Sequence, residues 1–347
     1  MIAAIILSVF LAFSLFGNLT QLFTSAFSLQ HGMRSEAFRT AREVGPKLDE
    51  CLLENNHSQN KIAVITVDGV ITSRDADNQS TMVEVIQAQL DRAADDKRVK
   101  AVILRVDSPG GEVLASDEIY KSICDFQSTS KKPVVCSMGN LAASGGYYIS
   151  SGCRWIVANE LTLTGSIGVI MHGWNYRGLM DKVGIAPVTY KSGKFKDMLS
   201  PDRATNDIPV EERAMVQSLI NETFEKFKDV VADGRGIAHD LNKKEGHALA
   251  TNWEDFADGR VLSGKQALDL GFVDELGDFN NTIDRAEKLV SIKNANLIEY
   301  RERYDLGNFL SMFGQNSQAH DIKLNLGVDV PRLHAGYLYF LAPTFVN

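Results

Sequence analysis

Residues 99–111 read Val-Lys-Ala-Val-Ile-Leu-Arg-Val-Asp-Ser-Pro-Gly-Gly. The run Val99–Val106 is short, apolar and rich in Val and Ile, and it stops at a cluster of turn-forming residues. That pattern predicts a buried strand running straight into a tight glycine turn. Two similar runs flank it: Lys61–Val67, bounded by Asp68-Gly69, and Pro133–Met138. Helical patterns near Thr81–Ala94 and Val113–Phe126 lie between the three. Alternating strand and helix predicts βαβ units and a mainly parallel sheet covered on both faces, an α/β fold.

The same reading extends outward. Trp155–Ala158 and Pro187–Lys191 are further strand-like runs, and Val210–Ala238 is a long, charged helical pattern. Asp258–Gly277 reads as loop, short helix and strand, and Asn281–Val290 as another helix. His31–Asn60 is polar with some helical periodicity and reads as a linker helix. The stretch after Asn296 mixes glycine, polar and aromatic residues and takes no firm assignment. These patterns divide the chain into 1–29, 30–60 as the linker, 61–296 as the main body, and a C-terminal extension, 297–347.

The 347 residues are 44% hydrophobic and 23% charged, ordinary globular values. A net charge of -8 without any polybasic patch speaks against nucleic acid as a partner. Cys51, Cys124, Cys136 and Cys153 have no zinc-ligand spacing and do not decide the redox compartment. From Met1 to Met33 there is no Lys, Arg, Asp or Glu, and Ile2–Phe16 is almost unbroken apolar sequence. A span of roughly 20 apolar residues crosses a bilayer, so 1–29 is expected to be a transmembrane anchor, a cleaved signal segment being the rival. Arg34, Arg39, Arg42 and Lys47 follow it, which by the positive-inside rule puts the body in the cytoplasm.

Three glycine-rich turns each follow an apolar strand. Asp107-Ser108-Pro109-Gly110-Gly111 offers backbone N–H groups to a ligand, or is simply a strand-to-helix turn. Ala142-Ala143-Ser144-Gly145-Gly146-Tyr147-Tyr148 surrounds one serine with small residues at a helix start. That serine could be a nucleophile beside an oxyanion site, or an N-cap. Thr164-Gly165-Ser166-Ile167-Gly168 lacks the nucleophile-elbow spacing and by itself reads as a turn. A serine nucleophile needs a base. None of the seven histidines, His172, His239 and His247 among them, sits in a glycine-flanked strand-end setting. A lysine serves if burial brings its pKa from about 10.4 towards about 7–8. Lys194 and Lys196 are candidates that the residues alone do not separate, while Ser128 and Lys131 match S-x-x-K in a polar loop and are set aside.

Taken together and in order, DSPGG at 107–111, AASGGYY at 142–148, TGSIG at 164–168 and SGKFKDMLSP at 192–201 resemble the signal peptide peptidase A family. Gly234-Arg235-Gly236 and Asp258-Gly259-Arg260-Val261 also fit, and the likeness runs from about Lys61 to Val290. The resemblance implies a Clp protease/crotonase-like fold and a serine endopeptidase acting on apolar peptides such as signal peptide remnants. It implies Ser144 as nucleophile and Lys196, directly before D-M-L-S-P, as general base. It further implies oxyanion donors at Gly111 and Gly145, and Ser166 orienting the lysine. No metal or cofactor is expected. Single-copy members resemble homo-oligomeric rings of about eight subunits sharing sites between neighbours. They face away from the cytoplasm on the inner or plasma membrane, against the charge bias noted above, and the family placement is preferred. The rival functions are an acyl-CoA-processing crotonase-like enzyme and an inactive membrane scaffold of the same fold. The N-terminal apolar segment speaks against the first, and the presence of both dyad positions against the second.

Overall fold

The computed structural model describes residues 45–73, 80–243, 245–303 and 338–342. The anchor expected over 1–29 lies outside them. Among the described residues no helix is long and apolar enough to cross a membrane.

In chain order the strands and helices begin with β1 (Leu48–Glu54), β2 (Lys61–Asp68), α1 (Met82–Asp95), β3 (Val99–Ser108) and β4 (Gly110–Glu112). Next come α2 (Val113–Ser130), β5 (Val134–Ala143), α3 (Gly145–Ser151), β6 (Trp155–Ala158), β7 (Leu163–Gly165) and β8 (Ile170–Met171). The remainder are α4 (Arg177–Val183), α5 (Val210–Leu241), β9 (Val261–Ser263), α6 (Gly264–Asp269), β10 (Glu275–Leu276), α7 (Phe279–Leu289), β11 (Asn296–Glu302) and β12 (Leu338–Leu341).

The main sheet has the order β1-β11-β2-β3-β5-β6-β10, with β7 also paired to β5 and β9 to β7. Every pair along it is parallel except β1 with β11 and β7 with β9. The fold is therefore mixed α/β around a largely parallel sheet, as the alternation of the three central runs requires. Both faces are covered, which is why β2 and β3 read as nearly continuous apolar runs. Ala63, Ile65, Val67, Val102 and Leu104 face one core with Ile86, Ile119 and Tyr147. Ile62, Val64, Ala101 and Ile103 face the other, closed by Ile283, Ala286 and Leu289 of α7. Thr81 starts α1 with a reciprocal cap: its hydroxyl accepts from the Glu84 N–H and the Glu84 carboxylate accepts from the Thr81 N–H.

Three local expectations change. Within the stretch 30–60 read as a linker helix, Leu48–Glu54 is strand β1, hydrogen-bonded antiparallel to β11. Pro187–Lys191 pairs with no strand among the described residues, and Val188 and Tyr190 stay exposed. The third strand runs past Met138 to Ala143, five residues further, so that it ends against the serine turn. A second, three-stranded sheet has the order β4-β12-β8. All its pairs are antiparallel, and it takes in part of the C-terminal stretch that has no pattern of its own.

Candidate active site

Strand β5 delivers Ser144, and α3 starts at the next residue. Between them Ser144 adopts φ +55° and ψ −118°, a strained backbone for a residue carrying a Cβ. The turn is clamped on both sides: the Ser144 N–H donates to the Gly165 carbonyl, and the Tyr148 N–H donates to the Ser144 carbonyl, each at 2.8 Å. The Ser144 side chain makes no capping bond to the helix. Its hydroxyl is buried and has no hydrogen-bond partner among the described residues. A buried polar group without a partner costs stability, and such groups concentrate where chemistry is done.

The Asp107–Gly111 turn comes up against this serine. Asp107 steadies it by accepting from the Leu141 N–H at 3.1 Å, and Ser108 accepts from the Gly110 N–H at 3.1 Å. Strand β4 is bonded on one side to Ile71, whose N–H donates to the Gly110 carbonyl and whose carbonyl accepts from the Glu112 N–H. Gly111, between those two residues, therefore turns its own N–H and C=O to the opposite side. A Cβ added at Gly145 would fall 3.1 Å from the Gly111 nitrogen, and one at Gly110 would fall 2.6 Å from the Gly145 nitrogen. Glycine at all three positions lets the Gly111 and Gly145 amides come together beside Ser144 with no side chain between them. Two converging backbone N–H groups next to a hydroxyl are what a developing oxyanion requires.

The Thr164–Gly168 turn is the brace of the serine turn. Strand β7 pairs with the end of β5, Ala143 opposite Gly165, and the Thr164 hydroxyl donates to the Ala142 carbonyl at 2.7 Å. Ser166 follows, buried and at φ +50°, its N–H donating to the Arg260 carbonyl. The Asp258–Val261 motif is thereby explained. The Gly259 N–H donates to the Ile167 carbonyl, and the Arg260 guanidinium holds the Asp258 carboxyl down at about 2. Gly234 is also structural: a Cβ there would meet the Ser151 carbonyl oxygen at 2.3 Å, so only glycine lets α5 pack against α3. Arg235 beside it forms a fully buried ion pair with Asp274.

Lys196 lies apart from this cluster. It sits in a run of turns after α4, is exposed, and does not hydrogen-bond the Ser144 hydroxyl within the chain. Its neighbours are engaged: Lys191 pairs with Asp197 at 2.8 Å, and Lys194 pairs with Glu211 at 3.3 Å while lying over the Phe195 ring. Lys196 forms no ion pair among the described residues, a distinction between the two candidate lysines that spacing does not provide. The stretch leading into it exposes apolar side chains. Trp174 and Val188 are 76% and 75% exposed, Tyr190 is 94% exposed, and α4 buries no residue at all. Ser128 and Lys131, the discounted pair, only finish α2, where the Lys131 amine donates to the Ser128 carbonyl.

One element beside the site was not legible beforehand. β12 lies against β4, with Phe340 opposite Gly111. The short apolar run Leu-Tyr-Phe-Leu of 338–341 was the available signal, too short to be read as a strand without a partner.

The chain is similar in sequence to known peptidases. A family model described as peptidase family S49 matches residues 127–293. The chain is 37% identical over 259 residues to a putative signal peptide peptidase of Enterococcus faecium, covering 74% of this chain and 71% of that one. It is 42% identical over 220 residues to a putative protease of Synechocystis, covering 63% and 71%. It is also 35% identical over 239 residues to Protease 4 of Haemophilus influenzae, covering 69% of this chain but 36% of that longer one. With an unpartnered serine at a clamped, glycine-flanked turn and relatives of this extent, the chain belongs to peptidase family S49, the signal peptide peptidase A family of serine-type endopeptidases.

Proposed function

We propose that the protein is a membrane-anchored endopeptidase in which Ser144 is the nucleophile and Lys196 of a neighbouring copy is the general base. The observation that carries this reading is the buried, unbonded Ser144 hydroxyl on a strained turn beside the paired glycine amides. The neutral Lys196 amine takes the Ser144 proton as the oxygen attacks a peptide carbonyl. The Gly111 and Gly145 N–H groups hold the oxyanion, and the amine gives its proton to the leaving nitrogen. Water, deprotonated by the same amine, then hydrolyses the acyl-enzyme. Ser166, one residue beyond the Gly165 carbonyl that clamps Ser144, would orient that amine.

A general-base lysine must be kept dry, and Lys196 in a single chain is exposed. The apolar surface around it, with Trp174, Val188 and Tyr190 in water, supports burial against a second copy in a ring. The apolar segment at 1–29 would hold the site close to the bilayer, with the body outside the cytoplasm. Substrates would be apolar peptides such as signal peptide remnants. The test is turnover of an apolar fluorogenic peptide by detergent-solubilised full-length protein, beside Ser144→Ala and Lys196→Ala. Cleavage by the wild type alone supports the proposal, and equal cleavage by Ser144→Ala rejects it.

A further inference from the structure

Among the described residues, no apolar side chain between Val169 and Phe224 joins either core, yet this stretch carries Lys196. Polar contacts organise it instead. Glu212, in the first turn of α5, pairs with Arg203 at 2.8 Å, and the two side chains are only 4% and 17% exposed. A buried ion pair in a segment with so little apolar packing calls for a reason.

The contacts of the pair converge on the turn after Lys196. One Glu212 carboxylate oxygen accepts from Arg203, and the other accepts from the Leu199 N–H at 3.1 Å. The Arg203 guanidinium donates to the Asp197 carbonyl at 3.1 Å and pairs with the Asp197 carboxylate at 3.2 Å. It also donates to the Asp207 carbonyl at 3.2 Å. Lys191 closes the loop from the other side, its amine 2.8 Å from both Asp197 carboxylate oxygens. Lys196 is thereby bracketed, and bonds from its N–H to the Gly193 carbonyl and from the Met198 N–H to the Phe195 carbonyl wind the loop into turns. Leu199 sits at φ +65°, a costly backbone for a residue with a Cβ. Its side chain is 47% exposed, so the bond to Glu212, not packing, holds that strain.

Buried ion pairs are weak sources of net stability, and their best-attested use is to fix one arrangement among several. We infer that Arg203 and Glu212 are positioning residues for Lys196. They hold the 197–200 turn in the shape that presents the Lys196 amine to the Ser144 hydroxyl of a neighbouring copy, while Lys191 and Lys194 are engaged within their own chain. The inference rests on the reading of Lys196 as general base.

The test keeps every charge in place. Glu212→Asp shortens the carboxylate arm by one methylene, so that it no longer reaches Arg203 and Leu199 together. Arg203→Lys keeps the cation but loses the fork that bridges Asp197 and Glu212. Both are assayed as full-length, detergent-solubilised protein on an apolar fluorogenic peptide. Each should lower kcat about 10–100-fold, the scale of a small misplacement, while KM changes less than about threefold. The rising limb of kcat/KM against pH should move upward by at least about half a pH unit, because an amine loosened into water keeps its proton longer. Glu211→Gln breaks only the exposed pair with Lys194 and should leave kcat and the limb unchanged. A variant that merely folds less well loses the same factor at every pH. Such a uniform loss, or wild-type kcat with either substitution, overturns the inference. Lys196→Ala in the same assay separates the two failures. If it is inactive while Glu212→Asp is fully active, positioning alone is rejected; if it is active, the general-base reading falls and takes the inference with it.

Discussion

The Ser144 N–H donates to the Gly165 carbonyl over 2.8 Å, so the serine turn and the Thr164–Gly168 turn form one backbone unit. The strain at Ser144 is held by this bond and by the strand pairing behind it, not by the serine side chain. Ser144→Ala should therefore leave thermal stability unchanged to within about 0.5 kcal/mol, or raise it slightly, since it removes an unbonded buried hydroxyl. Peptide cleavage should fall by at least about 10³-fold. Calorimetry and a fluorogenic assay on the same preparation check both. A stability loss of about 1 kcal/mol, the usual cost of deleting an N-cap, would return Ser144 to a capping role.

Lys194 and Lys196 should separate cleanly. Lys194 is ion-paired with Glu211 on the surface, and Lys194→Ala should change kcat/KM less than about threefold, because exposed pairs contribute little. Lys196→Ala and Lys196→Arg should both abolish turnover, since arginine cannot release its proton near neutral pH. An inactive Lys194→Ala beside an active Lys196→Ala, in the same steady-state assay, would reverse the assignment.

If the dyad joins two copies, inactive subunits should rescue each other. Ser144→Ala and Lys196→Ala chains, co-expressed with different tags and purified through both, should recover a measurable fraction of wild-type turnover. Each variant alone should stay silent. Mixed assemblies that remain inactive would confine the site to one chain.

Gly145→Ala tests the oxyanion site without touching the dyad. The added methyl would sit 2.7 Å from the Ser116 hydroxyl oxygen and 3.1 Å from the Gly111 nitrogen, pushing the two amides apart. We expect kcat to drop about 10²-fold with a smaller change in KM, as when one oxyanion donor is lost. The stability cost should be about 1–3 kcal/mol from overpacking. Steady-state kinetics and a melting curve give both numbers.

Acid should loosen the Lys61 cluster. The Lys61 amine is paired with Glu50 and with Asp96 at the end of α1. Burial pushes the Asp96 carboxyl up, but bonds from the Arg98 backbone and the Lys61 amine outweigh it, and its pKa falls to about 2. A depressed carboxylate stabilises the fold above its unfolded value near 3.8, and that contribution disappears as pH falls through the folded value. The difference amounts to about 2 kcal/mol, lost between about pH 4 and pH 2. Lys61→Met should lower stability at pH 7 and flatten this acid dependence, as denaturant melts at pH 7, 4 and 3 would record.

By itself the sequence determined the βαβ core, because β2, β3 and the start of β5 are buried on both faces and their apolar runs hardly depend on context. It also marked which turns are special: Gly110-Gly111, Ser144-Gly145 and Thr164–Gly168 stand out by their small residues, although bonds from Gly165, Ile71 and Arg260 hold their form. What it left open depends on partners distant in the chain. Leu48–Glu54 is a strand because β11, some 250 residues later, supplies its hydrogen bonds, and Pro187–Lys191 pairs with no strand among the described residues. Lys194 and Lys196 differ only once Glu211 has come round to pair with the first. Only the tertiary structure decided that the tail at 338–341 pairs with the Gly110–Glu112 strand. Four apolar residues carry too little information to form a strand until two edges and an aromatic pocket are there to hold them.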